Sequence, residues 1–230
     1  MKTLGLIGGT GPESTIDYYR LLIAQYREKA DGASPPLIIN SVDLKRMLAW
    51  MSANELGKVA DYLVEEVEKL RQAGADFGAL TANTAHIVFD ELQQRSTLPL
   101  ISIVEAACDR VQSLGLKSVA LFGTRYTMQA PFYPKVFSRT NIELVIPDGE
   151  EQAYIHEIYL GELLKDVFLP ETRARVLRIA DDMKARHGIE AVILGGTELP
   201  LLVRADEHNG ILLLDTTRIH VDRLIEEMLN

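Results

Sequence analysis

Short aliphatic runs alternate with longer stretches of helical period along nearly the whole chain, and that alternation leaves few folds open. Thr3 to Gly8, Leu37 to Ser41, Phe77 to Thr81, Leu100 to Ile103, Val119 to Phe122, Leu144 to Ile146, Ala191 to Leu194 and Ile211 to Leu214 read as strands. Between them, Ile16, Tyr19, Ile23 and Tyr26 keep one helical face, as do Val59, Leu63, Val67 and Leu70, and Val176, Ile179, Ala180 and Met183. Gly74 and Gly188 are natural helix stops. Strands separated by crossover helices predict an α/β fold with mostly parallel sheets. No Gly/Ser linker or low-complexity segment divides the chain, yet a boundary near Leu98 leaves halves of similar content. The expected division is residues 1–98 with 207–230, and residues 99–206, the last helix, Thr216 to Met228, returning to the first half.

Composition narrows the function classes. With 230 residues, 47% hydrophobic and 25% charged, the chain has the make-up of a globular protein with a sizeable core. No apolar run approaches the roughly 20 residues that span a bilayer, so no membrane partner is expected. The first residues run from an apolar stretch straight into glycines without a cleavage region, and read as a strand rather than a signal peptide. A formal charge of −9 with scattered Lys and Arg lacks the footprint of a nucleic-acid binder. The single cysteine, Cys108, lies in an apparent amphipathic helix, which excludes an internal disulfide or a cysteine metal site and fits a reduced cytoplasm. His86, His156, His187, His208 and His220 form no recognisable ligand spacing, so no metal is expected.

Three polar turns follow predicted strands. Gly8-Gly9-Thr10-Gly11-Pro12-Glu13-Ser14-Thr15 opens a helix, where free amides and the helix dipole favour an anion. It is no Walker loop, and Ser14 breaks the dinucleotide fingerprint; a tight turn with Pro12 at the first helical position explains it equally. In Thr81-Ala82-Asn83-Thr84-Ala85-His86, Asn83 and Thr84 stand at a carboxyl edge of a sheet, suited either to a substrate carboxylate or to capping a helix. Gly195-Gly196-Thr197-Glu198-Leu199-Pro200 repeats the pattern in the second half.

Together with Ser41-Val42-Asp43, Gly123-Thr124-Arg125-Tyr126-Thr127-Met128 and Asp215-Thr216-Thr217, these turns resemble the aspartate/glutamate racemase family over nearly the whole chain. The resemblance implies two pseudo-symmetric α/β domains, a cofactor-independent site in the cleft between them, a small amino acid or dicarboxylate as ligand, and a homodimer. It implies that Thr10, Asn83, Thr84, Thr124, Thr127 and Thr197 hold the amino-acid carboxylate and amine. Arg46 is the candidate for a side-chain carboxylate, since a guanidinium grips one in a bidentate fork, and Lys165 is a second; a solvated helix position is the plainer role for Arg46.

The departure from the family lies at the two catalytic positions. Cofactor-free racemisation needs one group to remove the α-proton and another to deliver one on the opposite face, which two cysteines do. The family's cysteines fall at Ala82 and Gly196 here, and neither residue carries a transferable proton. Among neighbours, His86 and Glu198 are the titratable substitutes; a hydrogen-bonded structural role for His86 and a capping role for Glu198 compete with that. Strand alternation is expected to turn Thr81 away. Three readings follow: a racemase-fold protein that binds its ligand without two-cysteine chemistry; an enzyme running a decarboxylation, elimination or isomerisation through His86, Glu198 or Lys165; or a substituted form of an active racemase. If the pocket is otherwise intact, Ala82→Cys with Gly196→Cys is expected to restore racemisation.

Overall fold

The computed structural model describes all 230 residues apart from the side chain of Pro12, and resolves into two compact units, Met1–Ile103 with His220–Asn230, and Val104–Ile219. The first unit is built on a four-stranded parallel sheet in the order β2-β1-β3-β4, with β1 Leu4–Gly8, β2 Leu37–Ser41, β3 Phe77–Leu80 and β4 Leu100–Ile101. The second repeats that order in β6-β5-β7-β9, with β5 Ser118–Gly123, β6 Glu143–Val145, β7 Ala191–Gly195 and β9 Ile211–Asp215. A two-residue edge strand, β8 Glu207–His208, pairs antiparallel with β9 and makes the second sheet mixed. The matching strand orders are the pseudo-symmetry expected of the two halves.

The strand readings hold to within a residue except Leu100 to Ile103, where the strand stops at Ile101 and Ile103 begins a helix, and the sheet pairings move the expected division. β4 pairs with β3 and β9 pairs with β7, whereas boundaries at 98 and 207 would give each strand to the other half. The last helix, α11 Thr216–Leu229, does return to the first unit, but only from His220 onward, its first four residues staying with the second. No helix among the described residues is long and apolar enough to cross a membrane.

One helical face also differs from expectation. In α1, Pro12–Lys29, Ile16 and Tyr19 are exposed while Tyr18, Leu22 and Tyr26 are fully buried. These three pack with Leu4, Leu6, Phe77 and Ala79 of the sheet and with Val221, Leu224, Ile225 and Met228 of α11. The other sheet face meets α3, Leu56–Gln72, whose Val59, Leu63, Val67 and Leu70 are buried as predicted. Gly74, at a φ of 98°, and Gly188, capping α9 Pro170–His187 at 66°, end their helices in the left-handed region. In the second unit, Ala120, Phe122, Val192, Leu194 and Leu213 pack against α9 and against Ile155, Ile158 and Tyr159 of α8, Gly149–Gly161.

Two buried histidines fix the chain near both points where it passes between units. Ile103 N–H donates to His86 Nε2 at 3.3 Å, and His86 Nδ1 donates to the Ala82 carbonyl at 2.9 Å. His220 Nε2 donates to the Ile101 carbonyl at 3.1 Å, while Nδ1 accepts from Tyr18 Oη at 2.7 Å. Each ring therefore uses one N–H and one lone pair, which only the neutral imidazole supplies. Burial holds both neutral, lowering His86 to about 4 and His220 to about 3 from an ordinary 6.5.

Because the unfolded chain takes up protons near 6.5 and the folded chain does not, stability is full above that value and falls as the pH drops toward the folded values. Near pH 5 the loss is roughly 2 kcal/mol for each ring. Urea midpoints measured downward from pH 7, above the carboxylate range, will record it. His220→Gln will be less stable at neutral pH but flatter across that range; a wild-type midpoint that stays level would refute the assignment.

Candidate active site turns

In each unit the candidate residues sit just beyond the carboxyl ends of adjacent parallel strands, where α/β sheets leave backbone groups free for ligands. Pairing of Ile7 with Leu80 brings the turn after β1 beside the turn after β3. Ser14 Oγ donates to the Thr81 carbonyl at 2.8 Å, and Thr81 Oγ1 donates to the Ile7 carbonyl at 3.0 Å, 3.4 Å from Thr15 Oγ1. Thr81 is thus committed to holding β1 and α1, in line with its expected orientation. Gly9, at a φ of 81°, allows the chain to fold back against β2; a Cβ there would lie 2.5 Å from the Val42 carbonyl.

Within this frame Thr10 Oγ1 is buried and has no hydrogen-bond partner. Ala82 is 9% exposed, Asn83 is buried, and Thr84 begins a 3-10 turn, Thr84–Val88. His86, the proposed substitute base, stacks on Phe89 at 4.6 Å and has both ring nitrogens occupied as described. It neither holds a free lone pair nor is protonated near neutrality, so its role is to fix the Ala82 carbonyl. Arg46, in α2 Leu44–Ser52, is exposed and makes no ion pair among the described residues. Its guanidinium lies 4.5 Å from the centre of the Trp50 ring and 5.0 Å from that of Tyr62, which orients it while leaving its donor edge available.

The second unit repeats the arrangement. Gly123 pairs with Gly195, so Thr124 and Gly196 follow neighbouring strand ends. Thr124 caps α6, Arg125–Gln129, by accepting from Thr127 N at 3.3 Å, and the two buried hydroxyls lie 3.2 Å apart. Lys165, in the short turn Leu163–Lys165 after α8, is exposed and is not drawn to these residues by any hydrogen bond or ion pair. Thr217, at the start of α11, was not singled out; it is 1% exposed and its hydroxyl has no partner. Its only sequence signal is its place in Asp215-Thr216-Thr217.

Gly196 is surrounded by Tyr159. A Cβ at Gly196 would lie 2.6 Å from Tyr159 Cε2 and 2.8 Å from Cζ, and closer still to the hydroxyl. The phenol therefore fills the space that any side chain at position 196 requires. Tyr159 Oη donates to Glu198 Oε2, and Thr197 Oγ1 donates to the same oxygen at 3.0 Å. Tyr159 and Glu198 are each 4% exposed. Burial raises the Glu198 carboxyl against the opposing pull of hydrogen bonds from Tyr159, Thr197 and its own backbone, and burial together with the Glu198 charge raises the Tyr159 phenol. Cys108 lies elsewhere, buried in α5, Ile103–Ser113, with its thiol pushed up to about 11 by burial.

Comparisons with known proteins match the chain to one family. The profile of the family described as Asp/Glu/Hydantoin racemase matches residues 7–224. The chain is 30% identical over 161 residues to the broad specificity amino-acid racemase RacX of Bacillus subtilis, covering 65% of this chain and 66%, just under two thirds, of that relative. Among solved structures, a candidate Asp/Glu racemase from Yersinia pestis matches all of both chains at 31% identity and a TM-score of 0.92. An aspartate racemase homologue from Pyrococcus horikoshii does so at 34% identity and a TM-score of 0.85.

Gly196 is outside the left-handed region, where exchanging Gly for Ala ordinarily stabilises by about 0.4–1 kcal/mol. Overpacking against Tyr159 costs about 1–3 kcal/mol and reverses that sign. Gly196→Ala will therefore be destabilised in urea unfolding, and its cost will shrink or vanish on a Tyr159→Leu background. Equal costs on the two backgrounds would show that Tyr159 does not occupy this space.

Proposed function

The chain belongs to the Asp/Glu/Hydantoin racemase family, and from that premise we propose that it binds a small α-amino acid or dicarboxylate through its two sets of turns without performing two-cysteine racemisation. The observation that carries this reading is the pairing of kept and lost parts. Thr10, Asn83, Thr84, Thr124, Thr127 and Thr197 supply hydroxyl and amide groups at the carboxyl ends of the strands, while the family's thiol positions hold Ala82 and Gly196. The one thiol in the chain is buried in a helix and raised well out of the range that suits proton transfer.

Arg46 gives the ligand class. A guanidinium held against two aromatic rings and without an ion pair matches a second carboxylate, which favours aspartate, glutamate or a related dicarboxylate over alanine. The other chemistry considered for the pocket, carried by His86 or Lys165, has less behind it. His86 spends both nitrogens on backbone, and Lys165 is exposed on a turn. A substituted form of an active racemase is disfavoured by Tyr159, because removing a cysteine side chain would leave a space rather than one occupied by a phenol.

A thermal-shift series with L- and D-aspartate, glutamate and alanine tests binding. Ligand at about 100 times its Kd adds about 2.7 kcal/mol to apparent stability. The dicarboxylates will raise the melting temperature, and Arg46→Ala will remove their advantage over alanine. No shift with any carboxylate would overturn the reading. Ala82→Cys with Gly196→Cys, the simple restoration, will not gain racemase activity in chiral chromatography while Tyr159 fills the second position; appearance of racemisation in that variant would count against the packing argument.

A further inference from the structure

Of the buried titratable groups in the described structure, the pair beneath Gly196 has the slightest backbone role, a long 3.4 Å bond from Glu198 N–H to the phenol beside the bonds within the pair. His86 and His220 each bridge backbone groups. Tyr159 and Glu198 bridge mainly each other, with the Thr197 hydroxyl on the shared carboxylate oxygen. Burying a phenol against a carboxylate costs desolvation of both, and a well-packed apolar pair of the same volume is often as stable or more so. The pair also stands at the carboxyl end of β7, in the turn whose neighbour supplies Thr124 and Thr127, and it occupies the side-chain position of residue 196.

We propose that Tyr159 and Glu198 form a one-sided proton-transfer unit that exchanges the α-hydrogen of a bound α-amino acid with solvent while keeping its configuration. The proposal rests on the amino-acid-binding reading above. Tyr159 Oη takes the proton from Cα as its own proton passes to Glu198 Oε2. The electron pair of the broken C–H bond stays on the substrate, spread from Cα into the adjoining carboxyl group. After the proton on Glu198 has exchanged with water, the same path in reverse returns hydrogen to the face it left. No bond between heavy atoms changes and no oxidant or reductant takes part. Thr197 holds the carboxylate oxygen in line for the relay.

The first unit explains why exchange stops short of inversion. Ala82 has no proton to deliver, Thr81 donates its hydroxyl proton to the Ile7 carbonyl, and His86 donates its single N–H to the Ala82 carbonyl. Proton transfer is therefore confined to the turn of Gly196, against which Tyr159 packs. An enzyme with one working side exchanges hydrogen without racemising.

The test is incubation of the protein with L- and D-aspartate and glutamate in deuterated water, reading Cα deuteration by NMR and enantiomeric purity by chiral chromatography, with thermal shift alongside. Deuterium will enter one enantiomer without loss of configuration. Tyr159→Phe keeps the ring against Gly196 and will lower exchange about 100-fold or more, within the range of general acid–base contributions, while preserving the ligand-induced shift. Glu198→Gln, which keeps the shape of the carboxyl, will do the same. Ligand-induced stabilisation without exchange above buffer overturns this proposal and leaves the binding reading standing. Absence of any shift overturns both, while exchange undiminished in Tyr159→Phe, or deuteration with inversion, overturns the assignment to a one-sided unit.

Discussion

The hydrogen bond from His86 to the Ala82 carbonyl is the constraint on which the first set of turns depends. A strand that ends beneath a polar turn leaves its last carbonyls without sheet partners, and away from water each must find a donor. His86 answers for Ala82 and Ser14 for Thr81, and the Thr81 hydroxyl adds a second bond to the Ile7 carbonyl that already accepts from Thr81 N–H, so three side chains hold two neighbouring turns by backbone atoms alone. The same imidazole accepts from Ile103, the last residue of the first unit before the chain crosses to the second. One neutral ring thus ties the candidate ligand turn to the chain crossing. This is why a histidine that looks catalytic by position is structural by contact.

The second unit solves the same problem with different parts. Thr216 Oγ1 donates to the Leu194 carbonyl at 2.8 Å, and Thr124 caps the short helix after β5. That leaves the side chains of Tyr159, Thr197 and Glu198 bonded chiefly to one another, with Glu198 N–H reaching the phenol at 3.4 Å. The two units share a strand order and a polar-turn plan, yet they differ in what lies beneath the turn. Beneath the first is a closed backbone relay; beneath the second is a phenol and a carboxyl with a transferable proton between them. Pseudo-symmetry of strand order therefore does not extend to the side chains beneath the turns.

Much of the fold is written in local pattern. The longer strands are continuous apolar runs, and helices such as α3 and α9 have one apolar face, so period alone identifies them. Where two faces compete, period fails. In α1, Ile16, Tyr19 and Ile23 make as good a stripe as Tyr18, Leu22 and Tyr26, and the choice falls to the second only because the sheet and α11 supply partners for it. β8 lacks an apolar run altogether, being a two-residue edge strand. The unit boundaries were misplaced for a related reason, since membership of a sheet is decided by hydrogen bonds to strands far away in sequence. The polar turns themselves were legible, including the Asn-Thr and Thr-Glu pairs and the absence of thiols.

Tyr159 was not legible, and the reason is instructive for Gly196. In Ile155-His156-Glu157-Ile158-Tyr159 it reads as one more core residue of an amphipathic helix, 37 positions from the glycine it covers. Nothing local marks it. The available signal is indirect: a glycine stands in a buried turn at a position that the family resemblance assigns to a side chain, and interiors packed to crystal density do not keep such a volume empty. Some other residue has to enter, and an aromatic one from the neighbouring helix is large enough to do so. Had that residue been Leu or Phe, the lost thiol would have been replaced by volume alone. It is a tyrosine whose hydroxyl donates to a buried carboxyl, so at this position the volume comes with a titratable pair. Ala82 shows the contrasting case, in which a Cβ remains, the turn stays tied to His86, and no titratable group takes the place of sulfur. The surroundings of Ala82 and Gly196 are therefore unequal, and that inequality is what the proposed one-sided exchange rests on.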